Sequence, residues 1–551
     1  MTMQRTPLLM SRLMNRGAWV SPHEEIVTRT AAGSHRYDYQ TMQGRAAQLA
    51  NALAAHGIKA GDRVASFMWN GHRHLEMYHA VPSMGAVLHT LNIRLSDRDL
   101  DYIINHAADR LVVIDADVLP LLEKLAGKMT SVERFVVCSY DEPWETDLPG
   151  AIDYEDFIAG QPTEYAWPEL DENAPMGLCY TSGTTGNPKG VMYTHRSTYL
   201  HTMATAMTDS MGISAKDSLC GIVPMFHAMG WGLPFTATML GAKQVYPHRF
   251  MDPVSLLDTM DAEEATISAG VPTIWQGVRG AIEAEPERWK LEHLERLTCG
   301  GSAPPVSLIK WYSDKLGVEM IQGWGMTETN PLGTMSRKVA KRSQRTLSED
   351  EQFANSAKAG QLIAGLEMKI TDEEFNELPQ DGEAVGELLI RGPWICSEYY
   401  NDPQPQKFHD GWLVTGDVAK IDPERYLIIA DRSKDLIKSG GEWISSVDLE
   451  NHIVALAEVA QAAVVAQPHP KWDERPVAIV VLAEGAKLSR DRILEHCLAA
   501  FAKWQLPDDI LFEDAIPLTS TGKIDKKVIR ADLKERGYLL PDLREQAEAA
   551  G

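Results

Sequence analysis

Basic charge is the first shortage. Lys and Arg number 53 against 77 Asp and Glu in 551 residues, a net charge of −24. Nucleic-acid binding rests on a basic face that neutralises phosphates, so no nucleic-acid partner is expected. An anionic substrate must instead be held by local donors. Cysteine is scarce too: the six, at 138, 179, 220, 299, 396 and 497, form no CxxC pair and sit mostly in apolar runs. That excludes a zinc site of the usual spacing and predicts buried free thiols in a reducing compartment. No apolar run approaches the roughly 18 residues of a membrane helix, so no transmembrane segment is expected. The N-terminus is broken by Arg5, Arg12 and Arg16 and lacks the apolar core of a secretion signal, which makes the cytoplasm the expected compartment. Leu8, Leu9, Leu13 and Met14 suit a short amphipathic helix laid on the body or on a second subunit, so a homodimer is an open expectation.

What is present is enough chain for one large domain and at least one smaller one, 44% hydrophobic and 24% charged, as in globular proteins. Strand-like and helix-like runs alternate: strands over residues 64–68, 86–91 and 110–114 enclose helices over 71–84 and from Ser96 to His106, the latter opened by a Ser96/Asp99 capping box. Further strands are expected over 218–223, 242–246, 265–269 and 294–299, with a helix over 253–260. Such βαβ alternation predicts an α/β fold, with mixed sheets wrapped by helices. Residues 336–358 read as a charged insertion, a solvated loop or an exposed helix, and 373–381 as a turn-rich connection. Near residues 431–438, DRSKDLIK, composition shifts and a glycine pair follow. Two domains are expected, 1–433 and a small α+β unit over 434–551. The small unit reads as helix 447–456, strands 462–466 and 477–482, helix 490–504 and strand 510–513, with charged residues from 533 onward fraying.

The densest chemistry lies in residues 180–190, YTSGTTGNPKG. Gly183, Gly186 and Gly190 let backbone amides approach an anion, Thr181, Ser182, Thr184 and Thr185 add donors, and Lys189 adds a mobile cation. It is not a Walker loop, because Pro188 precedes the lysine and a strand-like Val191-Met192-Tyr193 follows it. Apolar residues 176–179 on the other side make it a hairpin loop between buried strands.

This run resembles the phosphate-binding loop of the adenylate-forming superfamily of acyl-CoA synthetases, luciferases and peptide-synthetase adenylation domains. Four further motifs fall in that family's order. The resemblance implies a large N-terminal and a small, mobile C-terminal domain, ATP and CoA as co-substrates, and Mg²⁺. In QGWGMTETN, residues 322–330, it assigns Glu328 to Mg²⁺ together with Thr184, Trp324 and Gly325 to adenine, and Thr327 to phosphate. In CGGSAP, residues 299–304, Gly301, Ser302 and Ala303 line adenine and the start of the acyl channel. Asp417, in Thr415-Gly416-Asp417, accepts the ribose hydroxyls; Arg432 contacts the nucleotide; Lys434 is the hinge. Lys523, in PLTSTGKIDKK, bridges carboxylate and α-phosphate as charge gathers in the transition state. Lys438, Gly440, Gly441 and Trp443, around SGGEW, swing in to build the CoA channel.

Residues 224–234, PMFHAMGWGLP, bear on the acid. His227 and Trp231 stand four apart among small residues, and the resemblance puts them in the acyl pocket, His227 with a catalytic role, beside Val271, Pro272 and Trp275. No acid stands there to meet a substrate ammonium, which disfavours amino acids. The expected enzyme is an AMP-forming acyl-CoA ligase for a medium- or long-chain monocarboxylate. Its alternatives are a short thioether acid, 3-methylmercaptopropionate, or an acyl-AMP ligase loading a carrier protein.

Overall fold

Two β-sheets with helices between and around them make up most of the chain. The structure, a computed structural model, describes residues 2–140, 143–181, 187–432, 434–440, 442–519 and 523–544. One sheet runs Ile152–Asp153, Arg134–Cys138, Leu111–Asp115, Arg63–Phe67, Val87–Thr90, Pro175–Tyr180, Gly190–Thr194, parallel until the last pair. Its inner strands are buried on both faces, which is why Leu111–Asp115 reads LVVID with no polar alternation. The final two strands form the expected hairpin, with Tyr180 opposite Gly190. The phosphate loop between them, from Ser182 to Gly186, lies outside the described residues.

The second sheet has a parallel centre, Lys243–Tyr246, Ser218–Cys220, Ile267–Gly270, Arg296–Gly300 and Glu319–Gly325, extended by antiparallel strands that include Trp412–Ile421 and Tyr426–Arg432. Register sets what matters for function. Gly270 pairs with Cys299 and Gly300 with Gly323, so three strands end level and their following turns open at one sheet edge. Ligands of parallel α/β sheets bind in that position.

A third sheet, Val459–His469 and Asp473–Leu482 with Asp509–Phe512 and the short pair Ile437–Ser439 and Glu442–Ile444, carries helices Ser446–Val454, Arg490–Leu498 and Lys526–Glu535. It has its own core of Ile437, Leu449, Ile453, Val480 and Ile493. Helix Met10–Val20 forms as expected and buries Leu13 and Met14. All six cysteines are free, Cys396 alone being partly exposed. Among the described residues no helix is long and apolar enough to cross a membrane.

Some expectations are corrected. Residues 336–358 are not a solvated loop: helix Glu349–Ser356 buries Phe353 in the core beside Leu308 and Ile309, with the Lys338 ammonium 3.9 Å from the phenyl centroid. The segment's charged residues stay exposed or half-buried while Gln344, Phe353 and Ser356 turn inward, and an averaged composition hides that. The strand expected over 218–223 stops at Cys220, and the helix expected to reach Trp504 ends at Leu498. Residues 533–544 do not fray: Leu533 and Leu540 are buried and the Tyr538 hydroxyl donates to Asp509 at 2.7 Å. Because Phe353 is a core residue, Phe353→Ala should destabilise the protein by about 3–5 kcal/mol in denaturant melts. A change under about 0.5 kcal/mol, the range of surface substitutions, would return this segment to solvent.

Candidate active site

Asp417 sits in the middle of strand Trp412–Ile421 and is almost fully buried. Buried carboxylates need partners, and two provide them. Arg432, opposite it in register on the adjoining strand, places Nε 2.7 Å from Oδ1, while the indole N–H of Trp324 donates to Oδ2 at 2.9 Å. Gly333 lies under the Trp324 ring: a β-carbon there would come within 2.5 Å of it. One ring face is therefore covered and the edge is tied to Asp417. Trp324 is only half-buried.

At the level end of the parallel strands, Gly301 takes a left-handed backbone with φ of +87°. A β-carbon on it would meet Val271 Cγ1 and Lys523 Cε, each at 3.2 Å. Lys523 comes from the C-terminal sheet's side of the molecule, and its stem passes over the glycine turn toward Asp417 and Arg432. Burial, and secondarily the Arg432 charge, push its ammonium down to about 8, against the pull of Asp417. Local bonds hold the lysine there: its N–H donates to the Thr519 hydroxyl at 3.2 Å, and Thr519 N–H to its carbonyl at 2.6 Å. Three residues on, Lys526 pairs with Glu450 at 2.7 Å, and the Ser446 hydroxyl donates to Asp431 on the Arg432 strand. The first contact holds helix Lys526–Glu535 on helix Ser446–Val454 within the C-terminal unit, and the second ties that unit to the second sheet.

His227 is half-buried near the same turn; burial, with Lys523 and Arg94, depresses it to about 4, so the imidazole is neutral at pH 7. It lines a space of about 330 Å³ with Thr90, Asn92, Ile103, Tyr180 and Phe226. Directly after it, Ala228, Met229 and Trp231 all have positive φ, at 41°, 47° and 57°, as do Gly230 and Gly232. A left-handed turn costs about 1–2 kcal/mol per non-glycine residue. Here glycines on neighbouring strands accommodate it. A β-carbon on Gly300 would lie 2.8 Å from the Trp231 ring, and one on Gly177 2.6 Å from Met229 Cε. Trp231 is thereby laid across the CGGSAP turn. Behind it an apolar space of about 200 Å³ is bounded by Val223, Met225, Gly230, Leu233, Pro234 and Tyr246.

On the phosphate side, Thr181 N–H donates to the Lys189 carbonyl at 2.9 Å, closing the neck of the loop. The Lys189 ammonium reaches Gln404 Oε1 at 3.0 Å and stands 5.0 Å from the Tyr399 ring centroid. Glu328 is buried, and its Oε1 accepts from the Tyr399 hydroxyl at 2.7 Å. Thr327, beside it, is buried and its carbonyl accepts from Tyr193 at 2.7 Å.

The structure thus brings Lys523, Gly301, Val271, His227, Trp231, Trp324, Asp417 and Arg432 to one edge, flanked by Ser302, which is exposed, and Ala303, which is half-buried. It does not bring Trp275 there. That residue is fully buried, its indole N–H donating to the Thr298 carbonyl at 3.3 Å and its ring under Gly270, so it is core and no acyl wall. Val271 is the N-cap of helix Pro272–Ala284 and has an extended backbone, so it does not share the helical face of Trp275 despite the four-residue spacing. Lys438, Gly440 and Trp443 lie on the exposed hairpin Ile437–Ser439 and Glu442–Ile444, with Lys438 Nζ 5.5 Å from the Trp443 centroid. Lys434 is exposed; Gly441, with 182–186, is outside the described residues. Tyr399 and Gln404 were not singled out in the sequence. The pair SEYYN, residues 397–401, is a detectable aromatic signal, but nothing local ties it to Glu328.

A family model for AMP-binding enzymes matches residues 16–400, and one for the AMP-binding enzyme C-terminal domain matches 448–523. The chain belongs to the AMP-binding enzyme family. It is 43% identical to a 3-methylmercaptopropionyl-CoA ligase of Ruegeria lacuscaerulensis over 97% of its length and 98% of that protein's. It is also 44% identical to a long-chain-fatty-acid–CoA ligase of Thermus thermophilus, covering 97% of each. A medium-chain-fatty-acid–CoA ligase of Ectopseudomonas oleovorans is 41% identical, over 96% of each. Among solved structures, ATP-bound MatB of Rhodopseudomonas palustris superposes with a TM-score of 0.80 at 26% identity, covering 95% of this chain and 99% of MatB. The anthranilate CoA ligase AuaEII superposes with a TM-score of 0.86 at 24% identity over 97% and 99%, and so shares the fold. The α/β architecture with its small α+β C-terminal part is the family's. Membership makes the chain an AMP-forming acid–thiol ligase, with a carboxylic acid, ATP and CoA as reactants.

Lys523 titrates near 8 in the ligand-free protein, so its charge is present below that pH and lost above it. The kcat/KM of ATP–pyrophosphate exchange, which reports the free enzyme, should fall as pH rises through about 8. In Lys523→Arg that limb should move beyond pH 10, since a guanidinium stays charged. An unchanged limb in the arginine variant would assign it to another group.

Proposed function

We propose that this ligase activates an uncharged, apolar monocarboxylic acid, with Lys523 as the group that meets the reacting carboxylate and α-phosphate. In the first half-reaction a carboxylate oxygen bonds to the α-phosphorus and pyrophosphate leaves. In the second, the CoA thiol gives up its proton, its sulfur attacks the acyl carbon, and AMP leaves. Negative charge grows on the α-phosphoryl oxygens in the first step, and an ammonium held in place there stabilises it at no cost of reorganisation. Supporting this is the placement of Lys523 over the Gly301 turn with Val271 on one side and the Asp417–Arg432 pair on the other. Asp417 offers acceptors to a ribose diol, and Arg432 orients it. Thr181, Lys189 and the hairpin residues 182–186 take the pyrophosphate end, with Thr327 beside them. Trp324 and Gly325, with Gly301, Ser302 and Ala303, border the base.

Mg²⁺ fits this donor set. Among the described residues no group of three or more His, Cys, Asp or Glu could cage a metal. Mg²⁺ keeps water and takes one or two carboxylates plus phosphate oxygens, which the buried Glu328, with Thr184, matches. When bound, the ion neutralises phosphate charge. For the second half-reaction, the small domain beginning at Lys434 turns so that Lys438, Gly440, Gly441 and Trp443 replace Lys523. The exposure of that hairpin supports the assignment.

The acyl chain is proposed to pass His227 and Val271 toward Trp231. The neutral imidazole and the apolar space behind the left-handed turn suit a hydrocarbon or thioether better than a charged acid. Discrimination per methylene in such a wall is only about 1–3 kcal/mol, so a medium- or long-chain acid is the reading and 3-methylmercaptopropionate its short-chain alternative. AMP release should be followed with acetate, 3-methylmercaptopropionate, butyrate, octanoate and palmitate, with and without CoA. Expected is CoA-dependent turnover with a single best acid longer than acetate. A maximum at acetate would overturn the apolar-pocket argument, and turnover indifferent to CoA would move the acceptor to a carrier protein.

A further inference from the structure

The segment following strand Gly386–Arg391 is stitched to both phosphate-facing elements. Cys396 N–H donates to the Glu328 carbonyl at 2.9 Å, Tyr400 N–H donates to the Gly190 carbonyl at 2.8 Å, and Lys189 Nζ donates to Gln404 at 3.0 Å. At the centre stands Tyr399. Its hydroxyl donates to Glu328 Oε1 at 2.7 Å, and its ring carries the Lys189 ammonium 5.0 Å from the centroid. The ring itself is buried, packed against Phe408 at 5.8 Å between centroids. One side chain therefore touches both the Glu328 carboxylate and the Lys189 ammonium, residues far apart in sequence.

We propose that Tyr399 is a positioning residue, which sets the distance and orientation between the Glu328 carboxylate and the Lys189 ammonium for a metal-bound triphosphate. This rests on the assignment of Glu328 to Mg²⁺ made above. The physical reasoning is that a carboxylate with one oxygen held by a hydroxyl keeps a fixed face for its second oxygen. Partners of this kind orient ligands and their loss typically costs about 10–100-fold in metal affinity. The ring contributes separately. A cation over an aromatic face is held without a hydrogen-bonding anion, so Lys189 stays clear of Glu328 and does not neutralise it in an ion pair. Removing the ring should let the two opposite charges collapse on each other.

The test is equilibrium ATP binding by calorimetry across a Mg²⁺ titration, with no acid or CoA present. Tyr399→Phe keeps the ring and removes the hydroxyl: the Mg²⁺ concentration for half-maximal enhancement of ATP affinity should rise about tenfold, with metal-free ATP affinity unchanged, while the thermal midpoint falls because the buried Glu328 loses a partner. Tyr399→Leu should in addition weaken metal-free ATP binding, because Lys189 is no longer held apart. Glu328→Gln is the control that separates the two readings. If it shifts the Mg²⁺ dependence and Tyr399→Phe superposes on the wild type, the positioning role fails and the metal assignment stands. If Glu328→Gln leaves the Mg²⁺ dependence unmoved, the metal assignment fails and the inference falls with it. A Tyr399→Phe protein that loses metal-free and Mg²⁺-dependent binding in equal measure would make the residue structural and overturn the proposal.

Discussion

Taking an ammonium out of water is unfavourable unless something keeps it charged, and in this protein the arrangement of the chain follows from where that is done. Lys523 is carried from the C-terminal unit to a glycine turn at the edge of a parallel sheet, where burial lowers it to about 8 and Asp417 alone pulls the other way. A lysine so placed is charged at neutral pH yet weakly solvated, and so is ready to meet an anion. Every neighbouring feature serves that placement. Gly301 has no side chain to block the stem, Arg432 and Trp324 hold Asp417 in one orientation, and the Ser446–Asp431 contact ties down the unit that delivers the lysine.

The same placement separates the two chemical demands on the site. In the proposed assignment Thr181, Lys189 and the buried Glu328 serve the phosphates, while Val271, Trp231 and a neutral His227 serve the acid. The strained left-handed turn at 228–232 lies between the two, with Trp231 laid on Gly300. Discrimination per methylene in such a wall is only about 1–3 kcal/mol, consistent with relatives of 41–44% identity whose names divide between a short thioether acid and medium or long chains.

Much of this was legible in the sequence, and the parts that were share a property. CGGSAP, QGWGMTETN and TGD are contiguous runs, and the structure brings them with Lys523 to one sheet edge; their chemical roles are those proposed above. The βαβ rhythm was readable for the same reason, since periodicity is local. What was missed is what depends on faces and partners. Trp275 follows Val271 by one helical turn and points into the core, a distinction no count of apolar residues makes. Residues 336–358 look solvated by average charge, yet Phe353 and Gln344 are buried on their inner side. Tyr399 meets Glu328 across a separation of 71 residues, and only the folded strands bring them together.

The central claim, that Lys523 serves the first half-reaction and is withdrawn from the second, is tested most directly by splitting the two in Lys523→Ala. ATP–pyrophosphate exchange should drop by about 10²–10³, while thioester formation from supplied acyl-AMP and CoA is retained at the wild-type rate. Equal loss of both would contradict the account, because it would make Lys523 a fixed part of one static site.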